Sequence, residues 1–546
     1  MTREQPLFSI VTPVYNTDPQ MLEECIASVL DQSFSSWELL LVDDASTSPA
    51  TSEVLDRASK IDTRIHVCRR IANGGIVAAS NEGIVAATGS WLVLLDHDDA
   101  LEPSALLELS AVIEREELVD YIYTNEFYLH PDGSAVEFRK PDWSPERLRC
   151  QMYTCHLSAI RLSLARKIGG FRPGFDGSQD HDFILRVTEQ ARKISHIRKP
   201  LYYWRVNPQS FSQSNSTKQQ AIDSGRRAVQ DHCERLGIRA TVELGEAPGV
   251  YRLRRELTAY PRVSVIIPTR GSSAVVWGRE TVPVIDCVRA IRQRSTYQNF
   301  EYVVVADSST PTEVVDQMTR LLGKDLLVVS YSKPFNFSDK INVGATAATS
   351  DLLLLLNDDT LIINDDWFEP MIGILNQPDV GTVGNMLFFE DHRLQHGGHC
   401  FVSGNPTHIA FKEAVTDGGF ASMYIVDREV SGNTGACLLV RRSTFFELGG
   451  LSLDFGNNYN DVDFALKVAR SGLRSVWTSQ SKMFHFESLS RDPTVTGSEL
   501  GNLHDRWSVE LHNERFHDPV EWNFNSLPPT EVRFNRRWRP RALNQF

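Results

Sequence analysis

Several function classes are excluded by what this chain lacks. Its 546 residues carry a formal net charge of −14, which argues against a nucleic-acid partner, since that needs a basic face. Eight cysteines (Cys25, Cys68, Cys150, Cys155, Cys233, Cys287, Cys400, Cys437) lie far apart with no CxxC spacing. They read as buried thiols of a reducing cytoplasm and not as a disulfide frame or zinc site. No run approaches the ~20 apolar residues of a membrane span. The start, Met1-Thr2-Arg3-Glu4-Gln5-Pro6, leads straight into an apolar strand with no signal peptide, which points to the cytoplasm or the cytoplasmic face of a membrane. What is present is ordinary for a globular protein with large cores: 41% hydrophobic and 23% charged residues. The length suits about three domains of ~150 residues or two large ones.

One pattern stands out. Trp91-Leu92-Val93-Leu94-Leu95-Asp96-His97-Asp98-Asp99 is a short apolar run that ends in carboxylates, and Asp351-Leu352-Leu353-Leu354-Leu355-Leu356-Asn357-Asp358-Asp359 repeats it. Such a run predicts a strand buried on both faces, as in a parallel sheet covered by helices, and ligands of open α/β sheets bind where such strands end. Clustered acids raise each other's pKa unless a cation holds them. Oxygen donors without cysteine favour Mg²⁺ or Mn²⁺. The competing explanation is a helix start, where Asp is common. That predicts one acid or two at one place, not the same cluster in both halves.

Other elements recur in the same order. Phe8 to Asn16 and Arg262 to Arg270 are first strands; Trp37 to Ser46 and Glu301 to Thr310 are second strands, ending at Asp43-Asp44 and at Asp307. A helix is expected from about Met21 to Leu30, and another from Asn73-Gly74-Gly75 to Ala87. Gly169-Gly170-Phe171 is echoed by Gly449-Gly450-Leu451, and Gln179-Asp180-His181-Asp182 by Asn460-Asp461-Val462-Asp463, each before a helical pattern. A duplication of this length means two domains of one α/β fold, not a short-repeat solenoid. The expected boundaries are 1–236, a linker at 237–260, a second domain at 261–510 and a tail at 511–546. The tail holds the one basic-aromatic run, Arg533 to Arg541. It reads as a solvated tail or a strap on the second domain, or as a peripheral contact with anionic lipid headgroups.

Together these motifs resemble family 2 glycosyltransferases of the GT-A fold, in tandem over about residues 7–210 and 262–495. The marks are Thr12-Pro13-Val14-Tyr15-Asn16, Val42-Asp43-Asp44-Ala45-Ser46, the acid clusters and the later Asp-x-Asp segments. The wording around them is similar to bacterial enzymes that build O-antigen, rhamnan and other surface polysaccharides. The resemblance implies two GT-A domains, Rossmann-like with mostly parallel central sheets. It implies a UDP-, dTDP- or GDP-sugar donor, a glycan or lipid-linked glycan acceptor, and Mn²⁺ or Mg²⁺.

Residue roles follow from the same resemblance. Asp44, with Asp43 beside it, and Asp307 would contact the nucleoside. Asp98, Asp99 and Asp96, and Asp358 with Asp359, would hold the cation on the donor diphosphate, and His485 matches a metal-shell histidine of some members. Asp180 and Asp461 would be general bases. The chemistry suits these residue types: a cation neutralises a departing nucleoside diphosphate, and a carboxylate can take the acceptor proton. A base on the face opposite the leaving group gives inversion. For Asp180 and Asp461 the alternative is helix capping. Asn73 and Asn342, each placed before a glycine-containing helix start, read as caps first and substrate contacts second. His396, His399 and His408 have no metal-site spacing and read as loop or acceptor-pocket residues.

The copies differ. Ala306 stands where the first half has Asp43, Asn357 replaces a leading acid, and Tyr203-Trp204-Arg205 occupies the region of His485. The leading expectation is a bifunctional inverting glycosyltransferase. The alternative is one catalytic domain beside an inactive carbohydrate-binding or scaffolding one. A sugar nucleotidyltransferase would carry a Gly-rich loop after its first strand, where Pro13-Val14-Tyr15-Asn16 and Pro268-Thr269-Arg270-Gly271 stand instead.

Overall fold

The computed structural model describes residues 5–206, 215–415, 418–487, 497–517, 536–537 and 543. Each half is built on four parallel strands. In the first, the order across the sheet is Ile65–Arg69, Trp37–Asp43, Phe8–Val14 and Trp91–Leu94. In the second it is Leu326–Tyr331, Phe300–Asp307, Val263–Thr269 and Leu352–Leu356. Registers match as well: Phe8 pairs with Trp37 and Trp91 as Val263 pairs with Phe300 and Leu352. Beyond the fourth strand both sheets continue with an antiparallel strand, Ser158–Arg161 or Cys437–Arg441. A long strand follows, Val119–Leu129 or Val380–Phe388, and a parallel neighbour comes from late in each half, Lys193–Arg205 or Arg474–His485.

Every residue of Phe8–Val14 and of Val263–Thr269 is buried, because each sheet carries a core on both faces. Ile10 joins one apolar cluster and its neighbour Val11 the other, as Val265 and Ile266 do in the second half. The helices Gly75–Ala86 and Phe337–Ala347 lie so close to these strands that a Cβ on Gly83 or Gly344 would stand 2.4 Å from a methyl of Val11 or Ile266. This close approach requires glycine at both positions.

The stretch read as a linker, 237–260, contains an antiparallel hairpin, Ala240–Leu244 with Tyr251–Arg255. Alternation of apolar and polar residues explains it: Val242, Tyr251 and Leu253 sink into the core of the first half while Thr241 and Arg254 face outward. The hairpin and the helix Pro145–Cys150 carry the contact between the halves. Glu146, 1% exposed, takes Arg149 and Arg255 at 2.5 Å each and Gln377 Nε2 at 2.7 Å. Glu429 of the second half accepts from Ser144 and pairs with Arg474. Of the tail, Arg536–Arg537 pair with Ser134 and Ala135, and Leu543 sits in a core of the first half. The rest of the basic-aromatic run lies outside the described residues, as does part of the expected 261–510 domain. Among the described residues, no helix is long and apolar enough to cross a membrane.

Candidate functional site

Both acid clusters stand where the fourth parallel strand ends, in a turn leading to a short antiparallel strand and not on a helix start. In the second half Asp358 Oδ2 accepts from Thr269 Oγ1 at 2.6 Å, at the end of the neighbouring first strand. Burial, then the adjacent Asp359, pushes the Asp358 carboxyl up to about 7. His485 reaches Asp359 Oδ1 at 3.2 Å and is oriented by Gln395, whose Oε1 is 2.6 Å from Nδ1. That contact arises because Thr360 and His485 face each other across paired strands. Asp307, at the second strand end, holds Lys340 Nζ at 2.8 Å and Arg270 at 3.2 Å.

The same cavity, about 320 Å³, is lined by Asp358, Asp359, His485, Lys340 and Asp461. Asp461 opens the helix Asn460–Arg470, with Oδ2 accepting from Gly435 N–H at 2.9 Å and lying 3.6 Å from His399 Nε2. Burial alone would raise its pKa; His399 and the Gly435 N–H overcome that and hold the carboxyl well below its usual range.

The first half brings together a different set. Asp96, Asp99 and His156 offer ligand atoms within 4.8 Å of one another, while Asp98 stands outside that group beside His97. Asp99 is 2% exposed and accepts from Tyr202 Oη at 2.8 Å and Arg205 N at 2.7 Å. Burial, then Asp96 and Asp98, raises its pKa well above the usual value. Arg205 reaches into the cluster through Asp98 O at 2.7 Å and Glu24 at 2.8 Å. At the position of His485 the strand register puts Tyr203, opposite Ala100. Asp180 lines a smaller cavity, about 100 Å³, with Asp96 and His156. Its carboxyl is pushed up to about 6 by burial and then by Asp96.

Asp44 is engaged by its own chain, accepting from Gly74 N at 2.9 Å, Gly75 N at 2.7 Å and Arg70. Asn73 donates to Asp44 O at 3.1 Å, so these two predicted residues do meet. Asp43 instead ties the turn, through Ser46 N at 2.9 Å and Arg69 at 3.3 Å. The placement expected for Asn342 needs correction. It lies inside the helix Phe337–Ala347 and fastens the glycine loop by exchanging bonds with Leu451. Asn81 does the same with Phe171, so Asn81 and not Asn73 is its counterpart. In both Asp-x-Asp segments the second acid is structural. Asp182 is buried between Arg172 and Arg186, and Asp463 takes Arg506, Lys467 and the Trp507 indole.

Sequence reasoning missed His156, which sits in the irregular stretch before Ser158–Arg161 with no motif around it. It also left His396, His399 and His408 without a common purpose. The structure gathers their rings, with centroids 4.8 to 5.1 Å apart. Burial first, then neighbouring histidines, lowers His396 and takes His408 down to about 3, so both rings are neutral at physiological pH.

The model of Glycosyl transferase family 2 matches residues 9–168 and 264–449. The chain is 37% identical over 95% of its length to protein y4gI of Sinorhizobium fredii, and 33% identical over 89% to the O-antigen biosynthesis protein RfbC of Myxococcus xanthus. It spans 57% and 38% of those relatives' own lengths. A solved structure of S. aureus TarS 1-349 in complex with UDP-GlcNAc aligns with a TM-score of 0.35 at 20% identity, over 41% of this chain and 66% of that one.

Proposed function

Since the chain belongs to glycosyl transferase family 2, we propose that it moves sugars from nucleotide-sugar donors onto a growing surface polysaccharide or a lipid-linked glycan, with inversion, at one site in each half. The observation that carries this reading is the second-half cavity, where the paired acids, a buried lysine and a partly buried carboxylate face one space. Asp461 is held ionised and takes the proton of the acceptor hydroxyl, a step worth typically 10²- to 10⁴-fold. Lys340 and Arg270, paired to Asp307, set positive charge at the neighbouring strand end, where a donor diphosphate would be drawn.

The residues fit a divalent cation. Asp358 and Asp359 are adjacent acids, burial and then Asp359 raise the Asp358 carboxyl, and with His485 they form a hard, mostly oxygen donor set suited to Mn²⁺ or Mg²⁺. When bound, such an ion neutralises charge on the departing nucleoside diphosphate. In the first half Asp96, Asp99 and His156 are the corresponding donors.

A second reading has its own support: Asp99 is already engaged by Tyr202 and Arg205, and the first cavity is the smaller. On this view the first half binds carbohydrate or scaffolds the second. The deciding experiment offers purified protein a panel of sugar nucleotides with Mn²⁺ and follows nucleoside diphosphate release and product linkage. Two sites predict that Asp180→Asn and Asp461→Asn each remove a different linkage; a silent Asp180→Asn selects the second reading. Pyrophosphate release from a nucleoside triphosphate would overturn both.

A further inference from the structure

Beside the base of the second half lie three histidines; His399 helps hold Asp461 ionised and lines the same cavity with His408, but sugar transfer as described gives none of the three a ligand. His399 and His408 face each other in the hairpin His399–Val402 with Asn405–His408, which sets their side chains on one face about 5 Å apart. His396 is brought back to them across Gly397-Gly398, where Gly398 takes φ +101°. The three offer ligand nitrogens within 4.8 Å of one another. His396 is fully buried and His399 is 4% exposed, yet neither ring nitrogen of His399 has a hydrogen-bond partner. A buried polar atom left unpaired loses its hydration without compensation, and in a native protein such an atom calls for a ligand or another specific explanation.

We propose that His396, His399 and His408 bind a divalent transition ion of the zinc class, each through Nδ1. His399 Nε2 faces Asp461 Oδ2 at 3.6 Å, a few tenths of an ångström beyond hydrogen-bond reach, so a small ring shift on binding the ion completes the carboxylate–histidine pair that orients a metal-ligating ring. Its Nδ1 is thereby left for the ion. His396 Nδ1 and His408 Nδ1 stand 2.7 Å apart, sharing one proton, and Thr434 N–H donates to His396 Nε2 at 3.2 Å. Nitrogens each about 2.0–2.1 Å from a tetrahedral ion stand about 3.3 Å apart, so the rings part by roughly half an ångström. The shared proton moves to His396 Nε2, at the expense of the long Thr434 bond. Three imidazoles favour Zn²⁺, Co²⁺ or Cu²⁺ over the Mg²⁺ or Mn²⁺ suited to Asp358 and Asp359, and three protein ligands leave a fourth position open. The inference goes beyond sugar transfer and does not require it.

The test uses the full chain with Asp358→Asn and Asp359→Asn in the second half and Asp96→Asn and Asp99→Asn in the first, which removes the oxygen donors of both halves. After chelation and dialysis the protein is titrated with Co²⁺, read by its visible d–d absorption, and then with competing Zn²⁺ counted by elemental analysis. One equivalent of each per chain is expected, with the absorption intensity of a four-coordinate site. Loss of an orienting partner typically costs 10- to 100-fold in affinity, so His399→Ala and His408→Asn should each weaken binding by more than about a hundredfold. Melting curves of the metal-free variants, expected to overlay the parent, separate ligand loss from misfolding. Absence of binding in the parent, or parent-like affinity in the two histidine variants, overturns the proposal whether or not the protein transfers sugar.

Discussion

The two halves share a sheet, a register and the placement of a carboxylate at the start of one helix, yet they drive that carboxylate in opposite directions. Asp180 sits among acids, near Asp96, and is pushed up to about 6. Asp461 sits beside His399 and a backbone N–H and is held down. The scaffold supplies the position; neighbours supply the electrostatics, from the segment between Val380–Phe388 and Cys437–Arg441 in the second half and from Asp96, just past Trp91–Leu94, in the first. Duplication has therefore preserved the geometry while allowing each copy its own proton affinity. The proposed cation donors diverge in the same way: His485 stands beside Asp359, whereas Tyr203 stands at its position in the first half and His156 comes from elsewhere.

The strongest challenge to this comparison is chemical. Asp461→Asn should lower the turnover of one linkage by about 10²- to 10⁴-fold while leaving the other intact, and single-linkage product analysis reads this directly. A variant that depresses both linkages equally would mean one shared site. Next in size is the joint between the halves. Glu146→Ala strands Arg149 and Arg255 in a buried place, and breaking a buried pair from one side costs about 3–5 kcal/mol. Denaturant unfolding should show that loss, and retention of wild-type stability would mean the halves do not depend on this contact. The duplicated close packing predicts matched penalties: Gly83→Val and Gly344→Val each overfill a helix–sheet contact and should cost about 1–3 kcal/mol. Calorimetry of the two variants would break the symmetry argument if only one were destabilised.

The smallest effect concerns pH. A base must be unprotonated to work, so first-half transfer should fall about tenfold per pH unit below about 6. The second-half reaction, whose base is held below the usual range, should persist to lower pH. Rate profiles of Asp461→Asn and Asp180→Asn, each isolating one half, should separate in that order, and coincident profiles would remove the contrast.

Much of this was legible in the residues. Apolar runs ending in acids identified the strands and their ends, and the repeat of five elements identified two domains. Asp180 and Asp461, expected from the resemblance to be general bases, line the two cavities, whereas spacing alone does not say which member of each Asp-x-Asp pair is structural. Other features had no local signal. Asn342 was misaligned because glycines near a helix start look alike in sequence, whereas its bond to Leu451 spans 109 residues. The hairpin at 240–255 has little local signal, because two short alternating strands around Pro248-Gly249 resemble a loop in sequence. His156 and the three histidines of the second half belong to irregular segments whose spacing carries no periodicity.

Local order along the chain sufficed to determine the α/β class, the duplication and the acid-ended strands, because burial on both faces of a parallel sheet demands continuous apolar runs. Which groups stand beside those acids was decided only when distant loops closed over the strand ends. Proton affinity and metal preference depend on charges a few ångströms away in space, and neither Asp96 beside Asp180 nor His399 beside Asp461 is near its partner along the chain.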